Sequence, residues 1–293
     1  MEIIVDSGAT KAEWCVLDRG TVRDRFCTPG INWTTASRES ADDVLARAAA
    51  RIGGERAGHL HFFGAGMTDG DTAPLEKFFP AAEIECASDL LAAARAVCGR
   101  EAGIVAILGT GSNTGLYDGA RITAHVHPCG YILGDEGGAA CLGKRFLGEF
   151  LKGRIPEPVA AAFAAAYPSD YVTVVREVYR SAAPARYLGS FAPWILGWYG
   201  KDGRMTELVE ENLRDFIRIF LRRYDTDRHA VGVVGSFGAA CRPILEKVGE
   251  GIRFSRFLPR PMDGLIRYYG GCSADPAPLH RSSSLGEGFG EIS

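Results

Sequence analysis

The sequence predicts an α/β protein built as two related lobes that face each other. Apolar runs near Glu2 and Gly103 each begin the same order of elements, namely strand, glycine turn, strand and strand. Glycine accounts for 37 of the 293 residues and gathers at the ends of apolar runs, as in strands that end in tight loops. We expect an N-terminal lobe, a larger C-terminal lobe with a helical insertion and a loosely ordered tail, over residues 1–103, 104–270 and 271–293.

The first half of the sequence predicts an antiparallel meander of strands, followed by alternating helices and strands. The meander strands are EIIVDSG, AEWCVLD and GTVRDRFCT. A helix follows in ESADDVLARAAARI, where Leu45, Ala48 and Ile52 form one stripe. The later elements are the strand HLHFFGAG, the short helix TAPLEKFF, the strand EIECAS and the alanine-rich helix SDLLAAARAVCG, which Ser88 or Asp89 caps.

The second half repeats the meander and then becomes mostly helical. Its strands are GIVAILGTGSN, TGLYDG and RITAHV, with a hairpin at Asp118-Gly119. Helices are predicted from about residue 138 to residue 223. The last elements are the strand AVGVVG, the helix GAACRPILEKVG, the strand IRFSRFL and the helix MDGLIRYY, whose residues 262–269 we expect to pack back on the N-terminal lobe.

Composition and charge exclude several classes of protein. A formal net charge of -3, with Lys and Arg scattered, disfavours a nucleic-acid or membrane-surface partner. No targeting segment and no run of 18 uncharged apolar residues is present, so we expect a cytoplasmic protein. The eight cysteines form no C-x-x-C pair, and Pro128 interrupts the alternation of His125, His127 and Cys129, so we do not predict structural zinc.

Three glycine-rich turns follow predicted buried strands and suit phosphate binding. Their backbone N–H groups and small hydroxyls can approach phosphate oxygens closely. The turns are Asp6-Ser7-Gly8-Ala9-Thr10-Lys11, Gly109-Thr110-Gly111-Ser112 and Gly235-Ser236-Phe237-Gly238. In the first, Asp6 is placed to hold Mg²⁺ through water, while Thr10 and Lys11 reach phosphate. The alternative is that all three are ordinary tight turns.

A fourth glycine pattern, from Gly138 to Lys144, has the spacing of a P-loop. Arg145 stands where a P-loop requires Ser or Thr, and no strand precedes the pattern. We therefore interpret this segment as helix.

The blocks DSGATK, PGIN, SDLLAAARA, ILGTGSNT, GYILGDEGG and VVGSFG, in this order, resemble the N-acetylglucosamine kinase group. That group belongs to the BadF/BadG/BcrA/BcrD-type ATPases, within the actin–hexokinase–heat-shock-chaperone superfamily. The resemblance covers roughly residues 1–270 and implies two actin-like, ribonuclease H-like lobes around a cleft. It also implies phosphorylation of an amino sugar with ATP and Mg²⁺, and a homodimer.

The resemblance assigns roles to individual residues. It implies that the three glycine turns hold ATP, through Asp6, Gly8, Thr10, Lys11, Gly109, Thr110, Gly111, Ser112, Gly235 and Ser236. It implies that Asn32 and Asp135 bind the sugar, that Cys129 lies in the loop before Asp135, and that Asp89 takes the proton of the attacking hydroxyl. The residues around Cys129 differ from those of relatives, which leaves the identity of the sugar open.

Elementary chemistry agrees with the role of Asp89. A carboxylate at a helix N-terminus stays ionised and can accept a proton from a sugar hydroxyl. The alternative is that Asp89 only caps its helix. Asp135 and Glu136 have a similar alternative, as an N-cap and first-turn acid of a helix that begins near Gly137.

Two other functions stay open from the sequence. One is an ATPase activator of a 2-hydroxyacyl-CoA dehydratase, which holds an iron–sulfur cluster between subunits. The other is a non-catalytic ATP-binding regulator. Glycine-turn residues fit all three functions, whereas Asp89 and the GDEG segment favour the kinase.

Overall fold

The computed structural model contains two mixed five-stranded sheets with helices packed against them. It describes residues 1–8, 11–31, 38–53, 57–64, 70 and 72–271. No helix in these ranges is long and apolar enough to cross a membrane.

The first sheet combines an antiparallel meander with two parallel strands. Its strands are β1 (Glu2–Ser7), β2 (Lys11–Asp18), β3 (Thr21–Pro29), β4 (His59–Gly64) and β5 (Glu83–Ser88). Their order is β3-β2-β1-β4-β5, with β4 and β5 parallel to β1. The core behind this sheet includes Trp14, which stacks on Phe26 and meets Phe62 edge-on.

The second sheet repeats that arrangement, which confirms the predicted duplication. Its strands are β6 (Gly103–Leu108), β7 (Ser112–Tyr117), β8 (Ile122–Val126), β9 (Val231–Val234) and β10 (Phe254–Leu258). Their order is β10-β9-β6-β7-β8, so the meander and the two parallel strands occupy the same places as in the first sheet.

Helices connect and cover the strands. Those of the described residues are α1 (Arg38–Ile52), α2 (Ala73–Glu76), α3 (Asp89–Cys98), α4 (Gly130–Leu133), α5 (Ala139–Phe150), α6 (Glu157–Ala166), α7 (Tyr171–Arg180), α8 (Pro184–Gly189), α9 (Ala192–Leu196), α10 (Gly203–Ile219), α11 (Ser236–Ala240), α12 (Arg242–Val248) and α13 (Met262–Gly270). Helices α5 to α10 enclose an aromatic core around Phe146 and Phe163.

The structure corrects two details of the prediction. The single helix expected at GAACRPILEKVG is two helices, because Pro243 supplies no N–H and its ring prevents a continuous helix. The short helix α4 was not predicted. It begins after Cys129, whose φ of 61° is a left-handed conformation that the residue type does not suggest.

Helix α3 packs against both sheets and against α13. Its alanines are almost fully buried, and the surrounding core takes Ile4 from the first sheet and Val105 from the second. Side chains larger than methyl would not fit between elements this close. Helix α13 approaches α3 closely at Gly264, where an added Cβ would lie 2.5 Å from the carbonyl oxygen of Ala96.

We expect Gly264→Ala to lower the free energy of unfolding by about 1–3 kcal/mol, because α13 must move away from α3 to admit the methyl group. Urea denaturation followed by circular dichroism measures the change. Gly148→Ala is the matched control, since an added Cβ there has no neighbour within 4 Å. Alanine's helix propensity should stabilise that variant by up to about 1 kcal/mol. A Gly264→Ala protein as stable as wild type would contradict the close packing of α3 and α13.

Candidate active site

The second glycine turn, Gly109–Ser112, is held against the start of α5. The first two amide groups of α5 donate to the carbonyl oxygens of Gly109 at 3.0 Å and Thr110 at 2.9 Å. A Cβ at Gly138 would lie 2.8 Å from the carbonyl carbon of Gly111, so only glycine permits this approach. The turn is therefore rigidly placed at the end of β6.

Asp135 lies directly against the same turn. Its carboxylate accepts from the Ser112 N–H at 3.3 Å, and an added Cβ at Gly111 would lie 2.8 Å from it. Burial raises the pKa of Asp135, against the effect of the Ser112 hydrogen bond. The N-cap of α5 is Gly138, so the alternative interpretation of Asp135 as the cap of this helix is wrong.

The third turn reaches the second turn from the end of β9. Gly235 has a φ of 126°, and an added Cβ would lie 2.1 Å from the carbonyl oxygen of Leu108. This approach places Ser236 beside the second turn, with a cavity of about 260 Å³ between them. The lining residues are Gly109, Thr110, Ala139, Gly189, Ala192, Pro193, Leu196, Ser236, Phe237 and Ala240.

Asp6 and Asp89 form a pair of carboxylates between the sheets, one near the end of β1 and the other at the start of α3. Protein surrounds both side chains, although each keeps part of its surface open. Burial, followed by repulsion from Asp89 and Glu13, raises the pKa of Asp6 to about 7. Burial also raises the pKa of Asp89, while the N–H groups of Leu90 and of Asp89 itself act in the opposite direction.

Asp89 does not cap its own helix. The N-cap is Ser88, whose hydroxyl accepts from the Leu91 N–H at 3.3 Å. The sequence had left the choice between Ser88 and Asp89 open. The carboxylate of Asp89 is thus not committed to capping.

The remaining predicted residues are less completely placed. Gly8 donates its N–H to the carbonyl oxygen of Lys11 at 3.1 Å, which closes the first turn, and the Lys11 side chain is exposed. Cys129 is exposed and lies before α4. Thr10 and Asn32 lie outside the described residues. Within the described ranges no group of three or more His, Cys, Asp or Glu is placed to hold a metal ion.

Two polar residues near Asp89 were not among the predicted site residues. His125 Nε2 donates a hydrogen bond to Asn113 Oδ1 at 2.7 Å, and a positive charge on His125 would lower the pKa of Asp89. Burial and then His127 lower the pKa of His125. The available signal was the position of Asn113, immediately after the GTGS turn, but the sequence drew attention to His125 only as a metal ligand.

The raised pKa of Asp6 has a consequence for stability. Because the folded-state pKa lies above the unfolded value, folding favours the protonated carboxyl, and this stability is lost as pH rises from about 4 to about 7. We expect Asp6→Asn to stabilise the ligand-free protein on the order of 1–3 kcal/mol at pH 8 and to have little effect at pH 4.

Thermal unfolding at both pH values measures this difference. Asp18→Asn is the matched control, because Asp18 is an exposed carboxyl at the far end of the same hairpin. Equal melting temperatures for wild type and Asp6→Asn at pH 8 would contradict the electrostatic conflict at Asp6.

Comparison with known proteins supports the same fold. No protein-family model matches the chain, and no curated protein matches it. A protein from Porphyromonas gingivalis, provisionally named an N-acetylglucosamine kinase, is 37% identical, with a TM-score of 0.86 over 92% of this chain and 99% of that one. A second protein with that provisional name, from Chromobacterium violaceum, is 20% identical, with a TM-score of 0.71 over 91% and 98% of the two chains.

A ROK family glucokinase from Streptomyces griseus, solved with glucose and AMPPNP, has a TM-score of 0.55 and 17% identity over 91% of this chain and 97% of its own. At these identities the second and third likenesses show the fold alone. The actin-like, two-lobed fold class is thus confirmed. The 37% identity to the Porphyromonas gingivalis protein extends along nearly the whole chain and shows the family as well as the fold. The chain belongs to the N-acetylglucosamine kinase family of sugar kinases.

Proposed function

We propose that the chain transfers the γ-phosphoryl group of ATP to a hydroxyl of an amino sugar, most simply N-acetylglucosamine. The observation that carries this proposal is the position of Asp89, whose carboxylate does not cap its helix and lies between the two sheets beside Asp6. Phosphoryl transfer depends on positioning, on neutralising charge and on a group that orients the attacking nucleophile, and Asp89 would be that group for a sugar hydroxyl.

In this mechanism Asp89 accepts the proton of the attacking sugar hydroxyl. A base must be ionised to do so, and the helix N-terminus favours the ionised form although burial raises the pKa. The N–H groups that oppose the effect of burial therefore help to keep Asp89 active near neutral pH.

The second and third turns are suited to ATP. The N–H groups of Thr110 and Gly111 donate to no described residue, so they remain available to phosphate oxygens. The cavity between the turns, which Ser236 lines, is proposed to take the nucleoside. Gly8, Thr10 and Lys11 of the first turn would approach the phosphates from the other sheet.

Asp6 suits a hydrated Mg²⁺ ion. Burial first, and then the negative charges of Asp89 and Glu13, raise the pKa of Asp6 to about 7 in the absence of a cation. A divalent cation would relieve the repulsion, and carboxylate with water is the coordination that Mg²⁺ prefers. When bound, the ion would neutralise charge on the phosphates.

Asp135 is proposed to hold a sugar hydroxyl, together with Asn32 and the loop around Cys129. The Ser112 hydrogen bond ties Asp135 to the phosphate-binding turn, so sugar and phosphate would be held by one rigid unit. The lobe boundaries, the homodimer and the cytoplasmic location stay predictions.

Sugar-dependent release of ADP tests the proposed function directly. A panel of N-acetylglucosamine, glucosamine and N-acetylmuramate should include at least one sugar that stimulates ADP release well above the rate without sugar. Equal release with and without every sugar would instead indicate an activator or regulatory ATPase.

We expect Asp89→Asn to bind sugar but to lose about 10²–10⁴-fold in kcat, the range for a removed general base. Steady-state kinetics and calorimetric sugar binding measure both quantities. Ser88→Ala is the control, because it removes the cap of α3, at a cost of about 1 kcal/mol in stability, and leaves the carboxylate in place. Near-normal kcat for Asp89→Asn would contradict the assignment of the base.

Asp135→Asn should raise KM for the sugar about tenfold and KM for ATP much less, since the amide oxygen can still accept from Ser112 whereas the charged acceptor is lost. Asn32→Ala should likewise raise KM for the sugar much more than KM for ATP. Glu136→Gln, the neighbouring carboxylate, is the control. Equal changes in both KM values for Asp135→Asn would point to a displaced turn and not to a lost sugar contact.

A further inference from the structure

We infer that His125 is a positioning residue that fixes the side-chain amide of Asn113, so that its NH₂ group faces the sugar beside Asp89. The inference rests on the proposed function and deepens it, because it says how the sugar site orients an amide beside the carboxylates Asp89 and Asp135.

The strand register brings these residues to one place. Asn113 lies on β7, and His125 of the edge strand β8 lies opposite Gly115. Residues two apart on a strand share a face, as do residues directly opposite, so both side chains lie on the face of Gly115. An added Cβ at Gly115 would lie 3.1 Å from Leu90, the residue after Asp89. The pair therefore faces the start of α3.

The hydrogen bonds determine which way the Asn113 amide points. The Thr114 N–H lies 2.9 Å from one terminal atom of Asn113, and a backbone N–H can only donate, so that atom is the oxygen. His125 Nε2 lies 2.7 Å from the same oxygen. With both lone pairs occupied, the oxygen is fixed, and the NH₂ group has no partner among the described residues.

The tautomer of His125 follows from the same contact. Nε2 must carry a hydrogen to donate to Asn113 Oδ1, which the imidazole does in one neutral tautomer and in the protonated form. The contact to Asn113 is therefore kept in both charge states.

The chemistry of the site explains the need for this donor. Asp89 and Asp135, when ionised, only accept hydrogen bonds. A sugar also presents acceptors, such as hydroxyl or acyl carbonyl oxygens, and these need a donor. A freely rotating amide would present oxygen or nitrogen, and an oxygen there would repel a sugar acceptor. His125 removes that ambiguity.

Three variants of His125 separate its role from simple packing. A glutamine amide nitrogen reaches about as far as Nε2, whereas an asparagine nitrogen does not, so His125→Gln should behave like wild type. His125→Asn and His125→Ala should raise KM for the sugar about tenfold, with kcat changed less than about threefold. His127→Ala, which removes the neighbouring exposed ring, should leave KM within about twofold of wild type.

A double-mutant cycle tests whether His125 acts through Asn113. If it does, His125→Ala should have almost no effect on KM in a protein that already carries Asn113→Ala. Equal effects in both backgrounds would overturn the inference, as would an unchanged KM in His125→Ala or a failure of His125→Gln to rescue.

Wild-type turnover, measured first, separates a failure of the proposed kinase function from a failure of the role assigned to His125. If no sugar stimulates the wild type, the proposed function fails and this inference fails with it. If the wild type is stimulated and the His125 variants are unchanged, only the role of His125 is wrong. Calorimetric sugar binding should reproduce the KM changes without depending on turnover.

Discussion

The close packing of α3 between the two sheets is the constraint on which the rest of the structure depends. The small alanine side chains of α3 allow both sheets to pack close to this helix. Glycines on the neighbouring elements β9 and α13 allow the same close contact from their side. At Gly232 of β9, an added Cβ would lie 2.4 Å from Val97, and Gly264 meets Ala96 in the same way. A helix held this tightly has one permitted position, so the direction of its first residue, Asp89, is set by packing far from the chemistry.

The same packing makes the site electrostatically costly. Asp6 and Asp89 are held near each other where water is scarce, and neither has a cationic partner among the described residues that offsets this burial. By contrast, the half-buried Glu85 is paired with Arg95 and His61. An unpaired carboxylate pair lowers stability, and such pairs persist where function needs the charge. The absence of a compensating cation in the described part of the chain therefore distinguishes the Asp6–Asp89 site from the ion pairs that stabilise the fold.

The sequence predicted the strands, the duplication and most helices because those features depend on local patterns. Glycine after a buried strand marked all three turns, and Asp89 was found from its place at the head of an alanine-rich helix. The left-handed Cys129 and Asp135, the helix α4 and the His125–Asn113 contact were not predictable in this way. Each depends on which residues the fold brings together, and neither propensity nor periodicity contains that information.

The way α5 meets the second turn would allow the proposed site to bind phosphate without a P-loop. In a P-loop the first amides of the helix face the phosphates. Here they face the carbonyl oxygens of Gly109 and Thr110. In a trans peptide the N–H points opposite to the C=O, so the N–H groups of Thr110 and Gly111 must point away from α5.

In the proposed site the helix would therefore not bind the anion itself but would turn the adjacent peptide groups toward it, and its positive end would add to their field. The close contact of Gly138 with Gly111 is what makes this arrangement possible, because any side chain there would separate the helix from the turn. Gly138 thus has a different use from the glycines of the P-loop that the spacing of this segment resembles, because it brings a helix against a turn. Gly143 instead permits the close approach of α5 to Leu188 of α8.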